Sequence, residues 1–268
     1  MRVLAILVVT ACQRDPAVVM CMNANCVTPI DVDRDNTMSA LAESLQLQWQ
    51  GRPAFDGIEI DTVWDADGSR CLFTYLFDTA GEAADAREAA NAIAAHVRAA
   101  PADTRFYFKV QGKFRVAPSG RDPTRAELEA HTDCDLELVE LVEAAAREVG
   151  RPMTTLLGEE PAQIAVMIER PRFAPADAWS TRKLCFKVHE VPPNGARADV
   201  IAIEATGIHS NDFGTASELE GRGIAVELWS RYLTPAAIDA IEAIGPTIVD
   251  TNDVLAARLL LGPTPEGP

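Results

Sequence analysis

The sequence predicts an α/β protein with the (β/α)8 barrel architecture, and three observations carry the prediction. Strand-like apolar segments recur along the chain, amphipathic helical segments fall between them, and 268 residues leave room for eight such pairs in one domain. Strands are expected near residues 17–22, 56–63, 104–110, 152–157, 182–188, 199–206, 223–229 and 246–250, and helices over 36–48, 82–99, 133–149, 160–169, 234–244 and 252–261.

Taken in order, the first strand rests on an apolar run. The second rests on alternation, with Ile58 and Ile60 on one face and Glu59 and Asp61 on the other. The alanine-rich stretch after it has strong helix propensity and ends before Pro101. In the third strand Phe106, Phe108 and Val110 oppose Tyr107, Lys109 and Gln111. The helix over 133–149 shows an apolar stripe of Leu136, Val139, Leu141 and Val142, with Glu137, Glu140 and Glu143 left wet. In the later strands Leu184, Phe186 and Val188 oppose Cys185, Lys187 and His189; Ile201 and Ile203 oppose Glu204 and Thr206; Ile224, Val226 and Leu228 oppose Glu227, Trp229 and Arg231. Asp250 closes the last strand. One unit is poor: Pro192, Pro193, Asn194 and Gly195 leave an irregular or missing helix after strand 5. Segments 112–132 and 170–181 read as irregular insertions. An open doubly wound sheet is the alternative, but no G-x-G-x-x-G follows a strand to support dinucleotide binding.

A net charge of −16 argues against nucleic acid and against adhesion to anionic lipid. The amino terminus has a different character: Arg2, an apolar run from Val3 to Val9, then Thr10, Ala11 and Cys12. That order resembles a bacterial lipoprotein signal, with residues 1–12 as the signal and Cys12 as the lipidated position; a short buried strand is the competing reading. The expectation is an exported lipoprotein of the cell envelope or periplasm, with one barrel domain over 13–263 and a tail at 264–268. Export would leave Cys21, Cys26, Cys71, Cys134 and Cys185, so disulfides are expected with their pairing open.

Adjacent carboxylates on a buried strand face repel each other and lose hydration, so a fold retains them where a cation or a polar cavity compensates. Five strands place charge on the same relative face, the inward side near the carboxyl ends where barrels build their sites. The competing explanation is an internal salt-bridge network, with Glu59–Lys109 or Glu227–Arg231 as its pairs. Taken as a set, these residues favour a ligand site.

Several motifs then resemble one family. Asp35-Asn36-Thr37, Gly57-Ile58-Glu59-Ile60-Asp61 and Asp67-Gly68 are similar to the opening of the glycerophosphodiester phosphodiesterases, which show Glu-Asn-Thr, Glu-x-Asp and Asp-Gly. The run Gly223 to Ser230 resembles the family's strand ending in Trp-Thr, and Gly245 to Asp250 its last strand ending in Thr-Asp. Lys109 sits where the family has Glu-x-Lys. The resemblance implies a TIM barrel of the phospholipase-C-like phosphodiesterase type that acts on phosphodiesters with a calcium or magnesium ion. It implies Glu59 and Asp61 as metal ligands, Lys109 as oxyanion stabiliser and Trp229 as the pocket wall. Glu204 or Glu227 is the candidate for the missing carboxylate ligand, and Asn23, Lys187 and Arg231 complete the candidate substrate pocket. The partner would be a small phosphodiester or lipid headgroup, with the membrane reached only through a lipid anchor.

Departures from the family are equally specific. His-Arg-Gly is replaced by Met22-Asn23-Ala24-Asn25, a second histidine is missing from the segment Leu72 to Asp78, and Tyr107 stands where the third carboxylate belongs. Acid–base catalysis by such groups is worth about 10²–10⁴-fold. His189 and His209 follow the fifth and sixth strands on the catalytic side and are the candidates for relocated acid and base, whereas His96 and His131 read as surface residues. Hydrolysis by a rearranged site is one expectation. A non-catalytic binder, or an inhibitor or immunity-type lipoprotein on a degenerate barrel, is the other.

Overall fold

The computed structural model describes residues 17–76, 83–101, 104–158, 161–174, 180–187, 199–205, 216 and 218–262. Strand β1 (Val18–Cys21) is entirely buried and leads through two short 3-10 turns to α1 (Met38–Ser44). Thr37 caps that helix, its hydroxyl accepting from the Ala40 amide at 3.2 Å. A small hairpin, β2 (Gln48–Trp49) and β3 (Arg52–Pro53), precedes β4 (Gly57–Asp65). Beyond the barrel rim β4 carries an antiparallel extension, β5 (Arg70–Phe73) and β6 (Ala84–Asp85), which the sequence reading did not anticipate. Next come α2 (Ala86–Ala99), β7 (Phe106–Ala117), α3 (Arg125–Glu148), β8 (Met153–Leu157), α4 (Pro161–Met167) and β9 (Ser180–Lys187). The chain continues with β10 (Val200–Glu204), β11 (Ala225–Trp229), α5 (Pro235–Ile244), β12 (Ile248–Thr251) and α6 (Val254–Leu261).

Eight parallel strands close on themselves. Their order is β1-β12-β11-β10-β9-β8-β7-β4, and β1 returns to β4 through the pairs Met20↔Gly57 and Cys21↔Ile58. The predicted (β/α)8 barrel is therefore the fold. The expected irregular unit after strand 5, at 188–199, falls almost wholly outside the described residues.

The expectation of an irregular insertion over 112–132 is overturned. β7 runs on to Ala117, and α3 starts at Arg125 behind a reciprocal capping box in which Thr124 and Glu127 each satisfy the other's backbone amide. Charged Lys113 and Arg115 disguised the strand because this part of β7 stands above the barrel, where polar side chains reach the mouth or solvent. His131 is thus a residue of α3, not of a loop.

Alternation along each strand separates two apolar regions. Residues on one parity pack outward, where Phe106, Phe108, Ile58, Ile60, Val226 and Leu228 meet the helices. The other parity fills the barrel with a smaller cluster including Val18, Met20, Leu156, Cys185, Val200, Ala202 and Ile248. At the base, Arg258 of α6 is buried and donates to the Ala54 carbonyl at 2.8 Å while pairing with Asp56 at 2.8 Å. Asp56 in turn accepts from the Val19 amide at 2.9 Å, so the closing helix, β1 and the entry to β4 are joined through one guanidinium. Disulfides link Cys21 to Cys26 and Cys71 to Cys134, which decides the pairing that the sequence left open. Cys185 keeps a buried thiol 3.7 Å from Glu227 Oε2.

Candidate functional site

Above the apolar barrel floor, inward side chains turn polar and surround a cavity of about 110 Å³. Of the candidate residues, Glu59, Asp61, Lys109, Asn23, Trp229 and Arg231 line it, together with Met22, Tyr75, Gln111, Lys113 and Asp250. Its position at the carboxyl ends of the strands follows from parity. Glu59↔Lys109 and Asp61↔Gln111 are neighbours across β4 and β7, so their side chains emerge on the same side at the same height.

Lys109 is the centre of the deeper layer. Its Nζ lies 3.0 Å from Glu59 Oε1, 2.7 Å from Glu227 Oε1 and 3.2 Å from Asp250 Oδ2, and all four side chains are buried. One ammonium thus serves three carboxylates. The consequence appears at Asp250: burial, and then the neighbouring Glu59 charge, push its carboxyl well above the ordinary range against the pull of Lys109. Among the described residues Asp250 Oδ1 is buried without a hydrogen-bond partner. Of the two salt bridges the sequence suggested, Glu59–Lys109 forms. Glu227 goes to Lys109 instead of Arg231.

The upper layer is organised by the residues of the Asp35-Asn36-Thr37 motif. Asp35 accepts from Asn23 Nδ2 at 3.1 Å, Asn25 Nδ2 at 2.9 Å and Asn252 Nδ2 at 3.3 Å, and pairs with Arg231. Asn36 holds Asp61 at both ends, donating to Oδ2 at 2.8 Å and accepting from the Asp61 amide at 2.9 Å. Both Asn23 and Asn36 adopt φ of 53°, a left-handed conformation that asparagine tolerates better than most residues. Lys113 reaches Asp61 Oδ1 at 2.9 Å. Lys113 and Arg231 stay about a quarter exposed and face the opening, beside Trp229 and Tyr75. Burial raises the Tyr75 phenol above its ordinary pKa, with Asp35 reinforcing the shift, so it remains a neutral donor.

These contacts test the expected ion. Glu59 Oε1 meets Lys109 and Oε2 meets the Asn23 amide at 3.3 Å; Asp61 Oδ1 meets Lys113 and Oδ2 meets Asn36. Every oxygen of the pair already lies against a protein cation or hydrogen-bond donor, and two ammonium groups supply the positive charge. The residues as arranged do not fit calcium or magnesium unless Lys113 is displaced.

Other expected residues lie elsewhere. Glu204 ends β10 half-buried and does not line the cavity. The side chain of Lys187, and the residues His189, His209 and Cys12, fall outside the described residues. The expectation that His96 and His131 are surface residues is wrong. His96 stacks on Phe55 with ring centroids 5.9 Å apart, and burial, with Arg151 adding to it, lowers its pKa to about 4. His131 is 4% exposed and packs near Trp64. An acidic run conceals its place on the buried stripe of α3. Lys113, Tyr75, Asp35 and Asp250 are site residues absent from the sequence-derived set, although Asp250 was marked as ending its strand.

No protein-family model and no curated protein matches the chain. Solved structures do, at low identity and over most of both chains. Glycerophosphodiester phosphodiesterase from Thermotoga maritima aligns with a TM-score of 0.54 at 12% identity, covering 92% of this chain and 99% of its own. The corresponding enzyme from Agrobacterium tumefaciens str. C58 gives 0.52 at 13% identity, covering 90% and 99%. A calcium-dependent phosphoinositol-specific phospholipase C from Pseudomonas sp. gives 0.52 at 12% identity, covering 91% and 92%. Calcium dependence is stated of that last protein. The chain has the closed, parallel (β/α)8 architecture of the phosphodiesterase barrels that its motifs resemble.

Proposed function

We propose that this chain is a phosphodiesterase-like barrel that binds a phosphodiester or polyol-phosphate headgroup at its mouth, without a resident metal ion. One observation carries the reading: two partly exposed cations, Lys113 and Arg231, line the cavity with Trp229, above deeper carboxylates that share the Lys109 ammonium. A phosphate suits the paired cations, while a polyol suits the tryptophan face and the amides around it. Among the described residues no histidine lines the cavity, and the proposal is one of binding through these cations. Anchoring in the envelope through Cys12 belongs to the same proposal, and two disulfides favour an oxidising compartment.

A second reading keeps catalysis. Asp250, holding a proton beside Lys109, is a group from which a histidine-free site could protonate a leaving alcohol.

Calorimetry with a glycerophosphodiester, glycerol 3-phosphate and glycerol, in the presence of a chelator, tests the proposal. Phosphate-bearing ligands are expected to bind and glycerol is not, and Lys113→Met should weaken binding roughly 10- to 100-fold. Absence of heat with every phosphate ligand, or binding that collapses when the chelator is added, would reject it. Alcohol release abolished by Asp250→Asn would favour the second reading.

A further inference from the structure

Away from the barrel mouth, the Cys71–Cys134 disulfide joins β5 to α3. Around it, Cys71, His131 and Asp135 bring ligand atoms within 4.8 Å of one another, and all three are buried. His131 Nε2 is 3.7 Å from Asp135 Oδ1, and Cys71 Sγ is 4.0 Å from the same oxygen. Ligands around tetrahedral zinc stand roughly 3.3–3.8 Å apart, given bond lengths near 2.0–2.3 Å. The spacing is therefore within a few tenths of an ångström of a zinc shell for these two edges. Cys134 is bonded to Cys71, so its sulfur occupies the same place. It also falls between His131 and Asp135 on one face of α3, three residues after the first and one before the second.

A second observation is electrostatic. Asp35, Asp56, Glu59, Asp61, Glu143, Glu227 and Asp250 are buried carboxylates that each have a lysine or arginine within salt-bridge distance. Asp135 is fully buried, and among the described residues it has no such partner. Its contacts are the Thr62 hydroxyl at 2.7 Å and Gln163 Nε2 at 3.1 Å, besides His131. Gln163 holds Asp135 Oδ2 from outside the cluster, whereas the Thr62 hydroxyl donates to Oδ1 at 2.7 Å and lies 2.9 Å from His131 Nε2, so a bound ion takes the place of that hydroxyl between the two ligand atoms.

We propose that Cys71, His131, Cys134 and Asp135 form a tetrahedral zinc site when the Cys71–Cys134 disulfide is reduced. Two sulfurs, one imidazole and one carboxylate select zinc over calcium or magnesium. The oxidised chain cannot hold the ion, because both sulfurs are spent in the covalent bond. With a water-soluble phosphine as reductant, one water molecule supplies the oxygen of the phosphine oxide and the two hydrogens of the new thiols. Zn²⁺ then replaces both thiol protons, which pass to the buffer, and bonds to two sulfurs, one nitrogen and one oxygen. Cys134 is partly exposed and gives the ion its way in.

The full chain, purified oxidised, is compared with the same chain after phosphine reduction. Cobalt(II) serves as the spectroscopic probe and zinc is measured by competition with a chromophoric chelator. The reduced chain is expected to bind one equivalent, with thiolate-to-cobalt charge transfer and the ligand-field bands of tetrahedral cobalt, and the oxidised chain none. Zinc at a hundredfold excess over Kd should raise the melting temperature of the reduced chain by roughly 5–10 °C. Asp135→Asn preserves the side-chain shape and should weaken zinc at least tenfold. Cys71→Ser, which removes a sulfur and keeps the carboxylate, should do the same and lose the charge-transfer band. A reduced chain that binds no cobalt, or an Asp135→Asn chain that binds as tightly as its parent, overturns the assignment.

Discussion

Replacing Lys109 with methionine removes the ammonium shared by Glu59, Glu227 and Asp250 while nearly preserving side-chain volume. At distances of 2.7 and 3.0 Å, and an effective dielectric constant near 20, each of the two glutamate contacts is worth about 5–6 kcal/mol before the desolvation of lysine is subtracted. Loss of one partner from a buried pair costs about 3–5 kcal/mol net, and that range is expected here. Urea denaturation at pH 8 is the assay; with m near 3 kcal/mol/M, the midpoint should fall by about 1–1.7 M. The pH dependence supplies the signature. Without the ammonium, the buried carboxylates lose their compensating charge, so the penalty is largest where they are ionised and shrinks as acid neutralises them toward pH 5. Combining Lys109→Met with Glu59→Gln, Glu227→Gln and Asp250→Asn removes both signs of charge and should recover much of the loss. A Lys109→Met midpoint equal to the parent at pH 8, or a loss identical at pH 5 and pH 8, refutes the shared-ammonium account.

Two further outcomes follow from other parts of the barrel. His96 has a pKa lowered to about 4, against an ordinary value of 6.5, so the folded chain resists its protonation. The corresponding stability, roughly 3 kcal/mol, is present above pH 6.5 and is lost as pH falls through 6.5 toward 4, so His96→Gln should flatten the stability profile in that window. At Gly57 an added Cβ would lie 2.4 Å from both the carbonyl oxygen and the Cβ of Tyr107. Gly57→Ala should therefore cost about 1–3 kcal/mol and lower the melting temperature by several degrees in calorimetry, and an unchanged value would mean that β4 and β7 separate without strain.

The barrel was legible because parallel strands buried on both sides still alternate in chemistry when a polar pocket lies at one end. Glu59 against Ile58 and Ile60, and Lys109 against Phe108 and Val110, announced which side chains point inward. The same alternation is silent about partners. Lys109 finds Glu227 across 118 positions and Asp250 across 141, and Arg231 finds Asp35 across 196, so closure of the ring alone brings them together. That is why Arg231 was paired with Glu227 on sequence and with Asp35 in the structure. Lys113 was missed because the strand was expected to stop at residue 110, before its inward parity could be read. His131 was misplaced for a related reason: Glu127, Glu129 and Asp133 gave the region the composition of a wet loop, while Leu128, Thr132 and Asp135 continued a buried helical face.

The single guanidinium at the base has a temporal meaning. Arg258 comes near the end of the described chain, yet its anchors are the Ala54 carbonyl and Asp56, which orients the backbone of β1. During synthesis the first strands emerge long before the residue that clamps them: the ring keeps an open seam until β12 can pair with β1, and lacks its clamp until α6 follows. A nascent chain arrested before α6 should stay protease-sensitive throughout, and release of a few more residues should convert the whole domain at once.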